Sequence, residues 1–407
     1  MDILIITAYF PPDNGSASNL FHDLATNLGS EGNNVTVITT IPQYHTTGNL
    51  DRYKGKLWVT ETQTGLTVHR IRCPRFEGLF KIGRGFWQLW VTMALSIVSL
   101  ILQKRDVCLI YSPPLPLCLA GYLTKKVKGT KLVLNIQDLV PQSIVDLGMM
   151  NNKSLIDIFT NLEQFCYNNA DHITVMSQGN LEYIEAKNIA KTKLTVIENW
   201  VELPKPPKQT VAQDILRNHS LDNFNLITFG GVLGHSQDVD IIINAAKLTV
   251  DRPDILWIII GDGVQKDYVL KSIAEYNLSN LRLLPMLPRN EYEVILANSK
   301  AGLATLKPIV QTPVVPSKIY SIMACGIPVL SAMPLSGDGP KLVSKINCGI
   351  NISPGDHDSL AKSVIQLVDN TNMRDKLGEN GIKYIKNHLN VSNATIKYQE
   401  LFANLVK

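Results

Sequence analysis

Short apolar runs alternate with segments of helical periodicity along the first half of the chain. The run Ile3–Thr7 is followed by a polar loop and then by Leu20, Phe21, Leu24 and Leu28, whose spacing predicts an amphipathic helix. Gly29 and Gly32 are expected to end this helix. Strands alternating with helices predict βαβ units and a parallel sheet. Further strands of this half are predicted at Val35–Thr39, Val107–Tyr111, Lys131–Ile136, His172–Met176 and Leu194–Ile197.

The segment Leu203–Lys208, with sequence LPKPPK, interrupts this alternation. Proline fixes an extended path and lacks a backbone donor, so the segment is the best candidate for a linker. The alternation then restarts with a strand at Asn225–Phe229, a glycine turn and a helix at Asp238–Thr249. We therefore predict two α/β domains, residues 1–203 and 204–385, followed by a final helical segment, residues 386–407. Later strands are predicted at Ile255–Ile260, Leu281–Leu284, Ala301–Leu306 and Ile327–Leu330.

The segment Phe86–Gln103 contains no charged residue and needs separate treatment. Its length is at the lower limit for a membrane span, and a span would put flanking strands of one sheet on opposite sides of a bilayer. A largely buried helix and a helix in the membrane interface both stay open. In the second case Trp87 and Trp90 would lie at headgroup depth. Polar and basic residues mark the segment: Gln88, Thr92, Ser96 and Ser99 form a row along it, and Lys81, Arg84, Lys104 and Arg105 flank it.

Composition excludes several classes of protein. The 407 residues are 45% hydrophobic and 18% charged, as in a soluble globular protein, and the net charge of +4 argues against a dedicated nucleic-acid binder. The six cysteines form no CxxC pair, and the eight histidines form no HxH or HExxH pattern, so no metal site is expected. The start MDILIITAYF lacks the basic region of a signal peptide, so a reducing, cytoplasmic location is expected.

In the first half, two strand ends carry candidate chemistry. The loop Tyr9–Ser18 connects the first strand to the first helix, and Gly15 there would let backbone N–H groups approach a phosphate. The loop is not a GxGxxG fingerprint, and a plain structural turn would also explain it. Asp138 follows another strand and could orient or deprotonate a hydroxyl group. The alternative is that Asp138 caps the next helix.

In the second half, glycine-rich turns again follow predicted strands. Gly230–Asp238 joins a strand to a helix, and Gly261-Asp262-Gly263 ends a fully apolar strand. In the segment 316–329, PSKIYSIMACGIPV, proline and serine open a helix that Gly326 closes. Lys318 falls in the first turn, where a cation opposes the helix dipole and a nearby anion would resolve the conflict.

Three of these segments together resemble the retaining GT-B glycosyltransferases of family four. They are the opening strand with its FPP–Gly loop, the Asp-Leu-x-Pro segment at Asp138, and PSKIYSIMACGIPVL at 316–330. The resemblance implies two doubly wound Rossmann-like domains facing a cleft, with the donor held by residues 225–330 and the last helix crossing back. LNIQDLVPQSIVDLG at 134–148 and IENWV at 197–201 resemble the branch with N-acetylfucosamine and colanic-acid-type transferases.

The chain departs from the family pattern at four positions. Val232 and Gln237 stand where the family usually has arginine and lysine, and Pro313 and Ser321 stand in place of the two glutamates of E-x7-E. The diphosphate charge would then rest on Lys318, Lys307 and backbone amides. Asp138 is the predicted catalytic residue, in an acceptor-activating role. The predicted donor-binding residues are Gly15, Gly231, Gly234, Gln237, Gly261, Asp262, Gly263, Lys307, Ser317, Lys318 and Ser321.

The implied activity is transfer of a hexosyl or N-acetylhexosaminyl group from a UDP- or GDP-sugar to a lipid-linked or other glycan acceptor. This would require no metal or other cofactor, and it would take place in cell-surface polysaccharide synthesis. The enzyme would be cytoplasmic or peripheral on an anionic membrane surface, with no nucleic-acid partner. Two alternatives remain, a sugar-nucleotide epimerase of the same architecture and a catalytically inactive membrane-associated scaffold. An epimerase would need paired acidic and histidine residues, and Asp138 has no obvious partner of this kind in the sequence.

Overall fold

Two separate parallel sheets organise the chain. The computed structural model describes residues 1–13, 15–42, 46, 50–74, 80–205 and 207–407. The described chain divides into a first unit, Met1–Trp200 with Val391–Lys407, and a second unit, Val201–Asn390. The corresponding boundaries predicted from the sequence lie after residue 203 and before residue 386. Pro206 of the predicted linker lies outside the described residues.

The first unit is built on a sheet of eight strands with the spatial order 3-4-2-1-5-6-7-8. All neighbouring strands are parallel except the third and fourth strands in chain order, which form an antiparallel pair at the edge of the sheet. The apolar runs of the sequence form the central strands because parallel strands covered on both faces are buried throughout. In chain order the strands are β1 (Asp2–Ile6), β2 (Asn34–Thr40), β3 (Trp58–Gln63), β4 (Leu66–Ile71), β5 (Val107–Ser112), β6 (Lys131–Ile136), β7 (His172–Val175) and β8 (Leu194–Val196).

Helices cover both faces of this sheet. On one face the first and last helices pack together and bury Phe21, Leu24, Tyr398 and Phe402 against the strands. On the other face four helices bury a second cluster that includes Leu95. The helices are α1 (Ser16–Ser30), α2 (Phe80–Ile101), α3 (Cys118–Lys128), α4 (Gln142–Asp146), α5 (Lys153–Asn169), α6 (Gln178–Glu185) and the last helix of the chain, α15 (Val391–Val406).

The second unit contains a sheet of six parallel strands with the order 11-10-9-12-13-14. Its strands are β9 (Asn225–Gly230), β10 (Ile255–Ile260), β11 (Leu281–Leu284), β12 (Ser299–Thr305), β13 (Val329–Ala332) and β14 (Gly349–Ile352). Its helices are α7 (Gln209–Asn218), α8 (Val239–Lys247), α9 (Lys266–Glu275), α10 (Arg289–Ala297), α11 (Ser317–Ala324), α12 (Asp338–Ile346), α13 (His357–Asp369) and α14 (Thr371–His388).

The α/β architecture with two parallel sheets is confirmed, and the differences from the predicted elements are local. Helix α1 continues through Gly29 to Ser30, and the chain turns at Glu31. The predicted strand Ile327–Leu330 begins later, at Val329, because Gly326 adopts a left-handed conformation (φ 70°) and Pro328 has no N–H to donate. The hairpin β3–β4 and the short strand β14 were not predicted.

The uncharged segment forms most of α2, and the helix is buried on one face only. Val91, Leu95 and Val98 are buried in the first unit, whereas Ile97 is 52% exposed and Ile101 is 65% exposed. The prediction of a largely buried helix is therefore wrong for the opposite face. Among the residues that the structure describes, no helix is both long enough and apolar enough to cross a membrane. The side chains of Lys81 and Arg84 lie outside the described part.

Candidate donor site

Backbone-to-backbone packing joins the loops that follow β9 and β10. A Cβ atom on Gly261 would collide with the carbonyl oxygen of Gly231, and one on Gly263 would lie 2.7 Å from the carbonyl oxygen of Leu233. The Leu233 N–H donates to the carbonyl of Asp262 at 2.9 Å. Only glycine fits at these contacts. The two loops therefore pack backbone against backbone at the carboxyl ends of neighbouring strands, the edge at which parallel α/β sheets bind ligands.

Hydrogen bonds hold the glycine-rich loop, residues 231–237, on two sides. The Gln265 side-chain amide donates to the carbonyl of Gly234 and, at 3.1 Å, to that of Gln237. On the other side the backbone N–H of Lys307 donates to the carbonyl of Ser236 at 2.9 Å. The loop conformation is thus set by α9 and by the segment after β12. Sequence reasoning missed Gln265, because nothing in the local pattern indicates that a glutamine will contact a loop so far back in the chain.

Lys318 lies in the first turn of α11 and reaches back to the end of β9. A Cβ atom on Gly231 would be 3.1 Å from Lys318 Cε and 3.2 Å from Lys318 Nζ, and Gly231 has φ +125°. The ammonium group also lies 5.0 Å from the centre of the Phe229 ring. Desolvation by burial lowers the pKa of Lys318 to about 8. The helix dipole adds to the unfavourable electrostatics, so this half-buried cation is placed where an anion would stabilise it.

Two serines of α11 accompany Lys318. Ser317 is exposed and precedes it in the first turn, and the Ser321 hydroxyl donates to the Ser317 carbonyl at 3.4 Å. Gln237 donates from its side-chain amide to the hydroxyl of Ser236 at 3.2 Å. The structure therefore brings Gly231, Gly261 and Lys318 together directly, whereas Gln237 and Ser321 are satisfied mainly by local partners.

Two predicted donor residues have charged partners within the second unit. The carboxylate of Asp262 pairs with Lys266 at 3.1 Å and accepts the Gly263 N–H at 2.7 Å. Lys307 lies close enough to Asp238 to lower the pKa of that carboxyl, although burial raises it overall. Asp238 in turn caps α8 by accepting the Ile241 N–H at 3.3 Å. These partners explain both residues structurally, and their role toward a donor remains a prediction.

Gly15 belongs to the first unit, at the carboxyl end of β1. Its φ of +152° is in the region that favours glycine, and its carbonyl accepts the Asn19 N–H at 3.1 Å in the first turn of α1. A Cβ atom there would meet no described atom within 4 Å, so the backbone is open to a ligand. Its assignment to a donor site stays a prediction.

Asp138 also belongs to the first unit and follows β6. Asp138 is exposed to solvent, and desolvation by the surrounding protein raises the pKa of its carboxyl group. Its charge also raises the pKa of Tyr111 on β5. Helix α4 begins at Gln142 with Pro141 as its N-cap, so the alternative that Asp138 caps this helix is wrong.

A buried polar network lies behind Asp138. The Gln137 amide donates to Asn135 Oδ1 and to Asn199 Oδ1, both at 2.9 Å, and Asn199 returns a hydrogen bond to Gln137 Oε1 at 2.7 Å. The Asn135 amide donates to the Tyr398 hydroxyl on α15 at 2.9 Å. The alternation of Asn135 and Gln137 at the end of an apolar strand is the feature of the sequence that indicates this network.

Two family profiles account for most of the chain. "Glycosyl transferase 4-like domain" matches residues 15–200, and "Glycosyl transferases group 1" matches residues 212–384. These ranges contain the sheets of the first and second units, respectively. The chain is a GT-B glycosyltransferase of the group 1 family. Among its described residues, no three His, Cys, Asp or Glu side chains come together as metal ligands.

Individual relatives of this glycosyltransferase have known or named roles. It is 24% identical over 336 residues to an Escherichia coli K12 protein named "Putative colanic acid biosynthesis glycosyl transferase WcaI", covering 80% of this chain and 82% of the relative. It is 29% identical over 174 residues to a Campylobacter jejuni enzyme named N-acetylgalactosamine-N,N'-diacetylbacillosaminyl-diphospho-undecaprenol 4-alpha-N-acetylgalactosaminyltransferase, covering 42% of this chain and 44% of the relative. The structure of Anabaena HepE in complex with UDP matches with a TM-score of 0.73 at 17% identity, over 99% of this chain and all of that one.

Proposed function

We propose that this glycosyltransferase moves a hexosyl or N-acetylhexosaminyl group from a UDP- or GDP-sugar to a lipid-linked acceptor in bacterial cell-surface polysaccharide synthesis. The similarity to a colanic acid transferase supports the pathway class. The name of the Campylobacter jejuni relative includes a diphospho-undecaprenol acceptor, which supports the acceptor class. The Anabaena structure holds UDP, which supports a nucleoside diphosphate donor.

The desolvated ammonium group of Lys318 against Gly231 is the observation that carries the proposal. Transfer breaks the bond between the anomeric carbon and the β-phosphate oxygen, so negative charge develops on the departing nucleoside diphosphate. Lys318 is placed to stabilise this charge as a point cation, and backbone N–H groups of the glycine-rich loop, residues 231–237, would donate to its oxygens. Ser317 and Ser321 would add hydroxyl donors.

In the proposal, Asp138 of the first unit is the residue that acts on the acceptor. The acceptor hydroxyl oxygen forms the new bond to the anomeric carbon, and its proton passes to a base. In the proposal Asp138 orients this hydroxyl and receives the proton, for which its raised pKa is favourable. Attack on the face that the diphosphate leaves would retain the anomeric configuration.

Because of the departures from the family pattern, few groups are left to balance the negative charge of the donor diphosphate. Val232 and Gln237 bring no cation to the glycine-rich loop, and the Lys307 charge is shared with Asp238. We propose that Lys318 and backbone amides replace the missing cations and that no divalent metal is required. The reaction would take place on the cytoplasmic side of the membrane, with the enzyme bound peripherally.

The test is incubation of the purified protein with labelled UDP- and GDP-sugars and a diphospho-undecaprenol-linked sugar. We expect label to enter the lipid fraction, with NMR showing an unchanged anomeric configuration, also in the presence of EDTA. Lys318→Ala should lose donor binding, and Lys300→Ala, a lysine change in the same unit, is its control. Conversion of the donor without acceptor would indicate the epimerase, and absence of any turnover would indicate the scaffold. Either result contradicts the proposal.

A further inference from the structure

Helix α2 presents a continuous row of large apolar side chains to solvent. Phe86 is 56% exposed and Ile97 is 52% exposed, and residues three or four apart between them are exposed as well. At 1.5 Å per residue the row is about 22 Å long. Exposed apolar surface of this extent marks a contact surface rather than ordinary scatter. We call it the α2 row, and its members are Phe86, Leu89, Trp90, Met93, Ile97 and Ile101.

The polar side of α2 faces inward, which is the reverse of an ordinary surface helix. Thr92 and Ser96 are buried, and each donates to the carbonyl four residues earlier, at 2.8 and 2.6 Å. Ser99 is buried and accepts a hydrogen bond from Thr124 of α3 at 2.8 Å. The small polar residues therefore fix the rotation of α2 on the unit, and this rotation leaves the apolar row outside.

Positive charge lies at the C-terminal end of the α2 row and on the neighbouring helix α3. Residues 85–137 contain six lysines or arginines and a single acidic residue, Asp106. Within the described part of the chain, Lys104, Lys126 and Lys128 form no ion pair with an acidic side chain. Lys126 lies over the Tyr122 ring, and Lys128 donates to the Ser99 carbonyl at 2.9 Å. Helix α3 packs along α2 and extends the apolar surface with Leu123 and Val127, which is 66% exposed.

We infer that this face of the first unit docks on the surface of a bilayer that contains anionic phospholipid. The inference rests on the proposed lipid-linked acceptor and names the surface that would bring the enzyme to it. Apolar side chains with an exposed tryptophan suit the depth of the headgroups, and lysines beside them attract anionic lipid. A twofold contact with a second copy would place the same basic residues opposite one another, which is unfavourable.

The α2 row is connected to the predicted ligand loop of the first unit. Trp87 is turned inward and stacks on Tyr9, with ring centres 6.0 Å apart and an angle of 29° between the planes. Tyr9 begins the loop that leads to Gly15. Trp87 is therefore half-buried, and Trp90 is the exposed tryptophan of the pair. A lipid-held acceptor would arrive beside this loop.

The test is flotation of the full chain with vesicles of phosphatidylethanolamine and phosphatidylglycerol, compared with vesicles of phosphatidylcholine. We expect binding to the anionic vesicles that weakens with salt. The double variant Trp90→Ser/Ile97→Ser should lower the partition coefficient about tenfold or more. Its matched control, Ile396→Ser/Val250→Ser, changes two residues that are also exposed and apolar, and it should bind as the wild type does. Lys104→Glu/Lys126→Glu should weaken binding to the anionic vesicles specifically.

Three outcomes would overturn the inference. They are no flotation at low salt, equal loss of binding in the control variant, and self-association in lipid-free solution that Trp90→Ser/Ile97→Ser abolishes. Circular dichroism checks that each variant is folded. Transfer to a water-soluble acceptor analogue separates this surface from the proposed function. It should be unchanged in Trp90→Ser/Ile97→Ser, and its presence without vesicle binding would reject the docking surface while leaving the transferase activity intact.

Discussion

The side chains of Gln137 and Asn199 exchange two hydrogen bonds inside the first unit, at 2.9 and 2.7 Å. Gln137 immediately precedes Asp138, and Asn199 immediately precedes Trp200, the last residue before the chain enters the second unit. Both side chains are buried, so the paired amides fix the backbone that carries Asp138 to the segment where the chain leaves the unit. We regard Gln137 and Asn199 as positioning residues for Asp138.

Replacing Asn199 by alanine should destabilise the protein and slow the transfer. The change removes the N–H group that donates to the buried Gln137 Oε1, which costs about 1–3 kcal/mol of unfolding free energy, although the Gln137 amide keeps its hydrogen bond to Asn135. Urea unfolding of Asn199→Ala, Gln137→Ala and the double variant should show a clear coupling energy between the two positions. We expect kcat to fall while the Kd for the donor is unchanged. The exposed Asn161→Ala on α5 is the control, and additive effects in the cycle would contradict the pairing.

Gly231 and Gly234 in the same loop should respond differently to alanine. A Cβ atom on Gly231 would press on Lys318 at 3.1 Å with φ at +125°, whereas one on Gly234 would meet nothing within 4 Å. Gly231→Ala should therefore cost about 1–3 kcal/mol of stability and weaken donor binding. Gly234→Ala should stay within about 0.5 kcal/mol of the wild type. Thermal melts and titration with UDP or GDP measure both, and equal behaviour of the two variants would contradict the packing.

The central strands could be predicted because their sequences are uninterrupted apolar runs, as in β10, where every residue from Ile255 to Ile260 is buried. The edge strand β3 could not, because its sequence WVTETQ is mostly polar and half exposed. Its place depends on β4 and on the turn at Gly65, whose backbone touches that of Gly29 in α1. That contact between distant glycines leaves no local pattern.

The candidate site was predictable where a residue conflicts with its own helix. Lys318 stands out in the sequence because a cation in a first helical turn opposes the dipole. Its neighbours Phe229 and Gln265 did not stand out, since an apolar ring at a strand end and a glutamine in a loop have ordinary local explanations. The rotation of α2 was equally hidden, because Thr92 and Ser96 look like a solvent-facing row until their hydrogen bonds are known.

Replacing Lys318 by methionine should weaken donor binding without destabilising the protein. Methionine keeps most of the length of the side chain and removes the charge that burial disfavours. Loss of a charge-assisted contact to phosphate should raise the Kd for the donor by about tenfold to a hundredfold. The melting temperature at neutral pH should stay equal or rise. Calorimetric titration and thermal melts check this, with Lys300→Met as the control, and a parallel loss of stability would indicate a structural lysine.

The pH dependence of donor binding gives a second test of Lys318. Its pKa in the folded, donor-free protein is about 8, against an ordinary value of 10.5. The donor needs the charged form, so its affinity should decline as the pH rises above about 8. Between these two values the unfolded chain binds more protons, so wild-type stability should rise with pH over this window. Lys318→Met should remove both slopes, and an unchanged affinity profile would show that other groups hold the diphosphate.

Replacing Asp138 by asparagine should stop transfer without weakening donor binding or the fold. Asparagine keeps the shape of the side chain but cannot accept the proton of the acceptor hydroxyl, so we expect kcat to fall by about 10²-fold or more.

Because the surrounding protein raises the pKa of Asp138, the folded state binds more protons than the unfolded state above the ordinary value of 3.8. This carboxyl therefore favours the fold at low pH and loses that contribution as the pH rises through its folded pKa. The variant should accordingly melt at the same or a higher temperature than the wild type at pH 7, whereas the exposed control Asp157→Asn should change neither kcat nor the melt. Unchanged turnover in Asp138→Asn would remove this residue from the reaction, and a large loss of stability would make it a structural residue.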